Sequence, residues 1–314
     1  MKPQAKYKIS GHETFPFRYT WLPKAVKTVK NNPKIFSDED DAMVSLGVGK
    51  NMVRSIRFWA EASGIIKFQG KDGFVVTEFG EILFGEDGLD PYLEDIQTLW
   101  LIHWKLSTQV LEPLFAWDYL LNQWQEPDLT RTAVLRNLQQ KANTFEKKLS
   151  FVTLEQHFDT FLHTYFPTRG RKGQIQEDNL DCPLVELELI QKIGERVIDN
   201  ASGKRELIYA FRREPKSEIS DKLFVYCLYD FFTQRYPSEL TLSFREISVG
   251  HGSPGQIFKL PESDLRERLE SLNFQTNRLF SYQESQSIQQ VYKHSNVQEK
   301  TLIKSIYSHE AVYA

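Results

Sequence analysis

The sequence is poor in cysteine and has no long apolar run. Its 314 residues include two cysteines, Cys182 and Cys227, which cannot build a disulfide framework or supply all four ligands of a zinc site. A reducing, cytoplasmic setting is therefore expected. The longest apolar run, residues 223–229, is far shorter than the ~20 residues of a membrane-spanning helix, and the amino terminus leads into no apolar stretch of the signal-peptide kind. These shortages predict neither export nor a membrane span.

A large net charge is absent as well, but the charges that are present are unevenly distributed. The formal net charge is −3. Residues 1–80 carry 13 Lys and Arg against 8 Asp and Glu, residues 81–130 carry 1 against 10, and residues 131–180 carry 8 against 5. A basic head followed by an acidic stretch is expected if one end of the protein meets a polyanion. Chance clustering of charges on solvated faces is the alternative.

The first 88 residues have the pattern of a winged helix-turn-helix DNA-binding domain. Helices are predicted at residues 21–30, 38–46 and 50–63. A glycine turn at residues 47–49 separates the second helix from the third, and Val53, Ile56 and Trp59 repeat with the spacing of a buried helix face. Two short strands at residues 65–69 and 74–77, joined by a turn, then form the predicted wing.

The pattern of apolar and turn residues over the whole chain predicts a mainly α protein with small β wings. After residues 1–88 come a helical middle region, a basic loop or linker, and a C-terminal α+β domain, at residues 89–166, 167–182 and 183–314. In the middle region, residues 90–124 are predicted as one aromatic helical stretch, followed by helices at residues 130–140 and 153–164.

The C-terminal region combines helices with short strands. Helices are predicted at residues 183–194, 220–235 and 261–272, and strands at residues 206–211, 278–282 and 288–292. A helix followed by a hairpin repeats the order of the N-terminal domain. The pattern therefore leaves open a second winged-helix-like unit.

Cations on the third helix and on the wing are the predicted DNA contacts. Lys50, Arg54 and Arg57 stand at spacings of four and three, so they share one stripe of that helix, where Asn51 can read adenine. Phosphate contacts are expected from Lys67, Lys71, Arg169, Arg171 and Lys172. The alternative is a solvated face on a protein-binding winged helix, with a solvated basic loop at residues 167–173.

Three residues are candidates for catalysis and three for metal binding. His12, Glu13 and His103 can serve as acid or base, and Asp90, Glu94 and Asp95 can hold Mg²⁺ or Mn²⁺ for phosphodiester cleavage. The alternative is structural, because acidic residues around Pro91 suit a helix start and a histidine among apolar neighbours is usually a core residue. No familiar nuclease spacing decides between these two interpretations.

Four segments carry a family resemblance. Residues 10–18 (SGHETFPFR), 46–57 (LGVGKNMVRSIR), 90–95 (DPYLED) and 98–104 (TLWLIHW) resemble a bacterial domain family found in operons for DNA phosphorothioate modification. The resemblance implies a protein that works with a cysteine desulfurase, an ATPase and a sulfur-activating enzyme. These enzymes replace a non-bridging oxygen of the DNA backbone with sulfur. It also implies that the protein nicks double-stranded DNA.

The expected function is therefore DNA binding with metal-dependent nicking, by a nickase or endonuclease that allows sulfur to enter one strand. A non-catalytic adaptor or transcriptional regulator is the first alternative. A protein-interaction module that uses the acidic residues 81–130 is the second. A homodimer is compatible with all three, since winged-helix proteins often pair.

Overall fold

The N-terminal part folds into three helices followed by a two-stranded antiparallel hairpin. The computed structural model describes residues 6–167, 182–199, 203–275 and 279–308. Its first elements are α1 (Trp21–Asn31), α2 (Glu39–Leu46), α3 (Lys50–Ala62), β1 (Ile66–Phe68) and β2 (Phe74–Val76). The order and the approximate bounds of these five elements agree with those expected from the sequence.

Short local signals set the ends of these elements. The Asp38 side chain accepts hydrogen bonds from two following backbone amides and so caps α2, whose acidic first turn suits a helix N-terminus. Gly47 ends α2 with a left-handed φ of 66°. In the hairpin, Gly73 has a φ of 85°, and a Cβ there would lie 2.3 Å from the Pro33 carbonyl oxygen. The hairpin therefore needs glycine where it docks on the loop before α2.

The middle region is helical but contains breaks. Its helices are α4 (Glu78–Phe84), α5 (Ile96–Ser107), α6 (Phe115–Asp118), α7 (Arg131–Ala142) and α8 (Phe151–Tyr165). The prediction of one helical stretch over residues 90–124 is wrong. α5 begins only after Asp95, and Pro113, which has no amide hydrogen to donate, lies in the loop before α6. α6 continues as a π-helical turn, Tyr119–Gln123.

The helix predicted for residues 183–194 is also wrong. A 3₁₀ turn, Pro183–Leu187, is followed by the strand β4 (Ile190–Asp199), which pairs antiparallel with β5 (Lys204–Phe211). The short strand β3 (Leu129–Thr130) pairs with the other edge of β5, so the order is β3-β5-β4. Apolar spacing cannot separate helix from strand over so short a run, and pairing with β5 decides the outcome.

The last part of the chain alternates helices with a second three-stranded sheet. Its elements are α9 (Asp221–Arg235), β6 (Thr241–Ser243), α10 (Phe244–Val249), α11 (Pro254–Ile257), α12 (Glu262–Gln275), β7 (Phe280–Glu284), β8 (Gln289–Lys293) and α13 (Glu299–Ile306). The antiparallel sheet has the order β6-β8-β7. α9 begins where expected, because the Ser220 side chain accepts a hydrogen bond from the Leu223 amide. α13 has no counterpart among the elements expected from the sequence.

One apolar core joins these parts. Buried side chains from Phe17 to Ile306 form a single cluster, in which Trp59, Trp100 and Trp104 are buried. The architecture is thus a mixture of many helices and three small antiparallel sheets among the described residues. In the same residues, no helix is both long and apolar enough to cross a membrane. The four domain bounds drawn from the sequence stay predictions.

Candidate nucleic-acid interface

α3 presents a row of cations close to α2. Lys50, Arg54 and Arg57 follow one another at spacings of four and three, which places them along one stripe. Glu39, at the start of α2, reaches two of them: its carboxylate oxygens lie 2.5 Å from Lys50 Nζ and 2.7 Å from Arg54 Nε. Arg57 Nε lies 4.0 Å from the carboxylate of Glu61, one turn further along. Each cation of the stripe therefore has an acidic neighbour.

These ion pairs are exposed, so a phosphate can exchange for the carboxylate. The side chains of Lys50, Arg54 and Arg57 are 55%, 38% and 43% exposed. Hydrogen bonds from Arg54 and Lys50 lower the pKa of Glu39 to about 2, so its carboxylate stays ionised in mildly acidic solution as well. Exposed ion pairs add little to stability. A DNA phosphate is an anion like the Glu39 carboxylate, so it can accept charge-assisted hydrogen bonds from the same cations.

A groove of about 330 Å³ includes the first turn of α3. It is lined by residues 9–14, by Asn51 of α3 and by the α8 side chains Thr153 and Gln156. Within the loop, Glu13 and Thr14 have φ values of 49° and 64°. Residues other than glycine keep such values where the surrounding structure enforces them, and such positions cluster at functional sites. The structure thus brings Glu13 and Asn51 into one groove.

His12 is buried in the loop that lines this groove, and both of its ring nitrogens have partners. The Thr14 amide donates to Nδ1 at 3.1 Å. Nε2 lies 3.2 Å from the Ile9 carbonyl oxygen and 3.1 Å from Nδ1 of His157. Burial lowers the pKa of His12 to about 4, although the Ile9 carbonyl acts in the opposite direction. The neutral imidazole therefore holds the loop against α8.

α8 supplies a second buried histidine, His157, which is not among the candidate residues expected from the sequence. His157 Nε2 accepts a hydrogen bond from the Ala116 amide at 3.0 Å, and its ring stacks on that of His12 with centroids 5.3 Å apart. Burial lowers the pKa of His157 far below its usual value, and the neighbouring His12 lowers it further. The two histidines are 145 residues apart in the chain. Only the local signal of a histidine on the buried face of a helix was present in the sequence.

Comparison with known proteins places the chain in a family. The family described as protein of unknown function DUF4007 matches residues 9–307. The chain belongs to the DUF4007 family. A search of curated proteins found no match for this DUF4007 chain.

Two solved structures are similar to the DUF4007 chain over most of its length. The magnesium ion-bound SspB crystal structure is 26% identical, with a TM-score of 0.80 over 92% of this chain and 84% of that chain. Another SspB crystal structure is 24% identical, with a TM-score of 0.82 over 96% of this chain and 88% of that chain. The family resemblance drawn from the four sequence segments is confirmed.

His103 of the DUF4007 chain lies in a different hydrogen-bond network from His12. Its Nδ1 is 2.8 Å from the Tyr165 hydroxyl, and its Nε2 is 3.2 Å from the Ile257 carbonyl oxygen. The indole of Trp117 donates to the same hydroxyl at 2.9 Å. Burial lowers the pKa of His103 to about 3, with nearby lysines adding to the effect against the Ile257 carbonyl. The contacts of this fully buried imidazole are those of a core residue.

The three carboxylates predicted to hold a metal lie in a turn where two of them satisfy backbone amides. The two oxygens of Asp90 accept hydrogen bonds from the amides of Glu94 (2.9 Å) and Asp95 (3.1 Å). Asp95 in turn caps α5 through the Gln97 amide at 2.8 Å. Within the ranges that the structure describes, no group of three or more His, Cys, Asp or Glu is placed to hold a metal ion. These residues therefore do not fit a Mg²⁺ or Mn²⁺ centre built from three protein ligands.

The remaining predicted DNA contacts fall into two groups. Lys67 of β1 and Lys71 of the hairpin turn are exposed. Arg169, Arg171 and Lys172 lie outside the described residues. Within the described residues, the predicted cations thus lie on α3 and on the hairpin, two neighbouring elements of the N-terminal part.

Proposed function

We propose that this protein is a DNA-binding component of a bacterial DNA phosphorothioate modification system. The observation that carries the proposal is the exposed cation stripe of α3, next to the groove that contains Glu13 and Asn51. Similarity to SspB over most of the chain supports the assignment to such a system. The partners implied are double-stranded DNA, a cysteine desulfurase, an ATPase and a sulfur-activating enzyme, all in the cytoplasm.

In this proposal residues 1–88 act as a winged helix-turn-helix domain. α3 is the third of three helices, and a helix in that position can enter a major groove about 12 Å wide. The arginines of the stripe suit guanine, Asn51 suits adenine and Lys50 suits phosphate. The two lysines of the hairpin add contacts to the flanking backbone, which increase affinity without reading sequence.

A second winged-helix-like unit in the C-terminal region belongs to the same proposal. α10, α11 and α12 lie between β6 and the hairpin β7–β8, and β6 pairs with β8. The α12 helix carries four acidic residues, Glu262, Asp264, Glu267 and Glu270, against two arginines. Its charge favours a protein partner over DNA. Pairing of two chains into a homodimer stays a prediction.

Nicking is the catalytic part of the proposal, because the family resemblance implies it. A cut in one strand would loosen the backbone at which sulfur is inserted. Of the predicted catalytic set, His12 and Glu13 line the groove. Both ring nitrogens of His12 are already engaged within the protein, so Glu13 is the candidate base at the groove. The similar SspB structure that holds a magnesium ion makes Mg²⁺, with Mn²⁺ beside it, the first ion to test.

The experiment measures binding and cleavage on the same variants. Duplex binding is followed by fluorescence anisotropy from about 50 to 300 mM salt, and nicking by conversion of supercoiled plasmid with Mg²⁺, Mn²⁺ or EDTA. The variant Arg54→Ala/Arg57→Ala is compared with Lys192→Ala, a surface cation of β4 that is ion-paired with Glu195. We expect the double variant to flatten the plot of log affinity against log salt by about 0.9 for each phosphate that it no longer neutralises, and the control to match the wild type.

The outcomes separate the candidate functions. Weakened binding in the double variant, with metal-dependent open circles from the wild type, supports a nicking DNA-binding protein. Binding without nicking supports the non-catalytic adaptor or regulator, which the amide-bonded carboxylates of Asp90 and Asp95 favour. Full binding by the double variant would put the DNA interface elsewhere. No binding at any salt concentration would favour the protein-interaction module.

A further inference from the structure

A histidine with a buried carboxylate partner lies outside the α3 groove. His251 belongs to the loop before α11, and its Nε2 is 2.7 Å from Oδ1 of Asp118, at the end of α6. The His251 side chain is 43% exposed, whereas that of Asp118 is 5% exposed. An imidazole at the surface is thus joined to a carboxylate beneath it. This is the arrangement that orients a histidine for general acid-base chemistry.

Asp118 is held ionised and in place by several donors. Its Oδ2 accepts hydrogen bonds from the Tyr7 hydroxyl at 2.9 Å and from Gln123 Nε2 at 2.8 Å. Burial alone would raise the pKa of Asp118, but the hydrogen bonds from His251, Tyr7 and Gln123 outweigh it and the pKa is lowered. An ionised Asp118 accepts a hydrogen bond from the Nε2–H group of His251, so the ring proton is on Nε2 and the lone pair is on Nδ1. Among the described residues Nδ1 has no hydrogen-bond partner.

The loop that carries His251 is fixed to the π turn after α6. The Gly252 amide donates to the side-chain oxygen of Asn122 at 2.7 Å, and Gln256 Nε2 donates to the Asn122 carbonyl at 3.4 Å. π turns are uncommon and occur often at functional sites. The turn therefore holds the loop of His251 next to the helix that supplies Asp118.

An arginine lies beside the same loop. A Cβ built on Gly252 would be 3.3 Å from both Nε and Nη2 of Arg235, so the guanidinium packs directly against the loop backbone. Burial lowers the pKa of Arg235, while Asp118 acts in the opposite direction from nearby. No carboxylate of the described residues lies within ion-pair distance of this guanidinium. A half-buried cation without a partner suits a phosphate, whose two oxygens match the guanidinium fork.

We propose that His251, Asp118 and Arg235 form a hydrolytic site for phosphodiesters. Nδ1 of His251 takes a proton from water, and the hydroxide oxygen bonds to phosphorus as the bond from phosphorus to the ester oxygen breaks. The departing alkoxide, on the side of phosphorus opposite to the attacking oxygen, takes a proton from solvent water, and the imidazolium releases its proton to solvent, so the products are a phosphomonoester and an alcohol. Arg235 binds the phosphate oxygens, and Asp118 positions the imidazole.

This site rests on the proposed function and completes it, because it supplies a histidine with a free ring nitrogen, which the α3 groove lacks. Both nitrogens of His12 are engaged within the protein, whereas His251 keeps one free in the described structure. The two places are also close in the chain: Tyr7 binds Asp118, and His12 follows five residues later. Five extended residues span at most about 18 Å. That span, between Tyr7 and His12, is about half of the ~34 Å turn of a DNA duplex.

The test uses two substrates, supercoiled plasmid and bis(p-nitrophenyl) phosphate, an activated phosphodiester that needs no DNA-binding surface. His251→Ala is compared with His294→Ala, a control at an exposed histidine bonded to Ser281. We expect His251→Ala to lower kcat/KM on both substrates by about 10²–10⁴-fold and the control to match the wild type. Added imidazole should restore part of the activity of His251→Ala, and Arg235→Gln should raise KM.

Each result bears on the site. Equal activity of His251→Ala and His294→Ala would overturn it, and so would a loss that imidazole does not restore while the thermal midpoint is unchanged. A wild-type protein that cleaves neither substrate would overturn it whatever its DNA affinity. Cleavage of the activated diester through His251 with an intact plasmid would support the site and refute the nicking part of the proposed function.

Discussion

Three buried histidines and a half-buried one make the stability of this protein depend on pH in a window where carboxylates titrate little. Burial lowers the pKa of His12 to about 4 and of His103 to about 3, with the Ile9 and Ile257 carbonyls opposing it. It also lowers the pKa of His157 and His163. All four imidazoles are neutral in the folded protein at pH 7. Lowering the pH therefore tests whether these imidazoles are buried and neutral in the folded protein.

The free energy of unfolding falls as the pH falls, because the unfolded state binds more protons than the folded state. In the unfolded chain these imidazoles have a pKa near 6.5, so below that pH the unfolded state binds protons that the folded state does not. The stabilisation is complete above pH 6.5 and is lost as the pH falls towards the folded pKa values. Lowering the pH from 7 to 5.5 reduces the free energy of unfolding by about 1.3 kcal/mol for each such histidine. For the three most buried, His12, His103 and His157, the loss is about 4 kcal/mol together. Carboxylates in unfolded chains titrate near pH 4 and add little in this range.

The slope of the free energy of unfolding against pH is measured by urea unfolding between pH 5.5 and pH 8, at constant ionic strength and with tryptophan fluorescence as the signal. We expect His157→Gln to reduce the slope by about a third, because glutamine can accept from the Ala116 amide but does not titrate. Tyr92→Phe, at a side chain that is 73% exposed, serves as the control. A free energy of unfolding that stays constant from pH 8 to pH 5.5 would refute the buried, neutral state of these histidines.

Three further predictions concern single substitutions. Glu39→Gln should tighten duplex binding about threefold at low salt, because it removes a negative charge beside the two cations it binds, and anisotropy should show the gain vanish at high salt. Tyr165→Phe should lower the free energy of unfolding by about 2–4 kcal/mol in urea, since the Trp117 indole and a buried imidazole lose their partner; a change below that of Tyr92→Phe would contradict it. Gly73→Ala should cost more than ~1 kcal/mol and weaken duplex binding, because its Cβ would meet the Pro33 carbonyl oxygen; an unchanged thermal midpoint would argue against this contact.

The sequence was sufficient for α1–α3 and the hairpin of the N-terminal part and for α9, because their signals are local. Asp38 and Ser220 cap helices from within a few residues, and Gly47 ends α2 with a backbone angle that few other residues adopt. β4 was missed because a ten-residue apolar and charged run has no helical or strand signature of its own. Its conformation depends on hydrogen bonds to β5, and those exist only in the folded chain.

In the candidate site, too, some features follow from local sequence spacing and others from tertiary packing. Periodicity alone placed Lys50, Arg54 and Arg57 on one face of α3, because three- and four-residue spacings are a property of the helix itself. Only the tertiary structure decided that Glu39 covers two of these cations and that His12 meets a histidine 145 residues away. It also decided that His251 finds Asp118 as its partner. Such contacts depend on how separate elements pack. Packing provides hydrogen-bond partners for buried polar groups from distant parts of the chain, so the local sequence pattern does not predict these contacts.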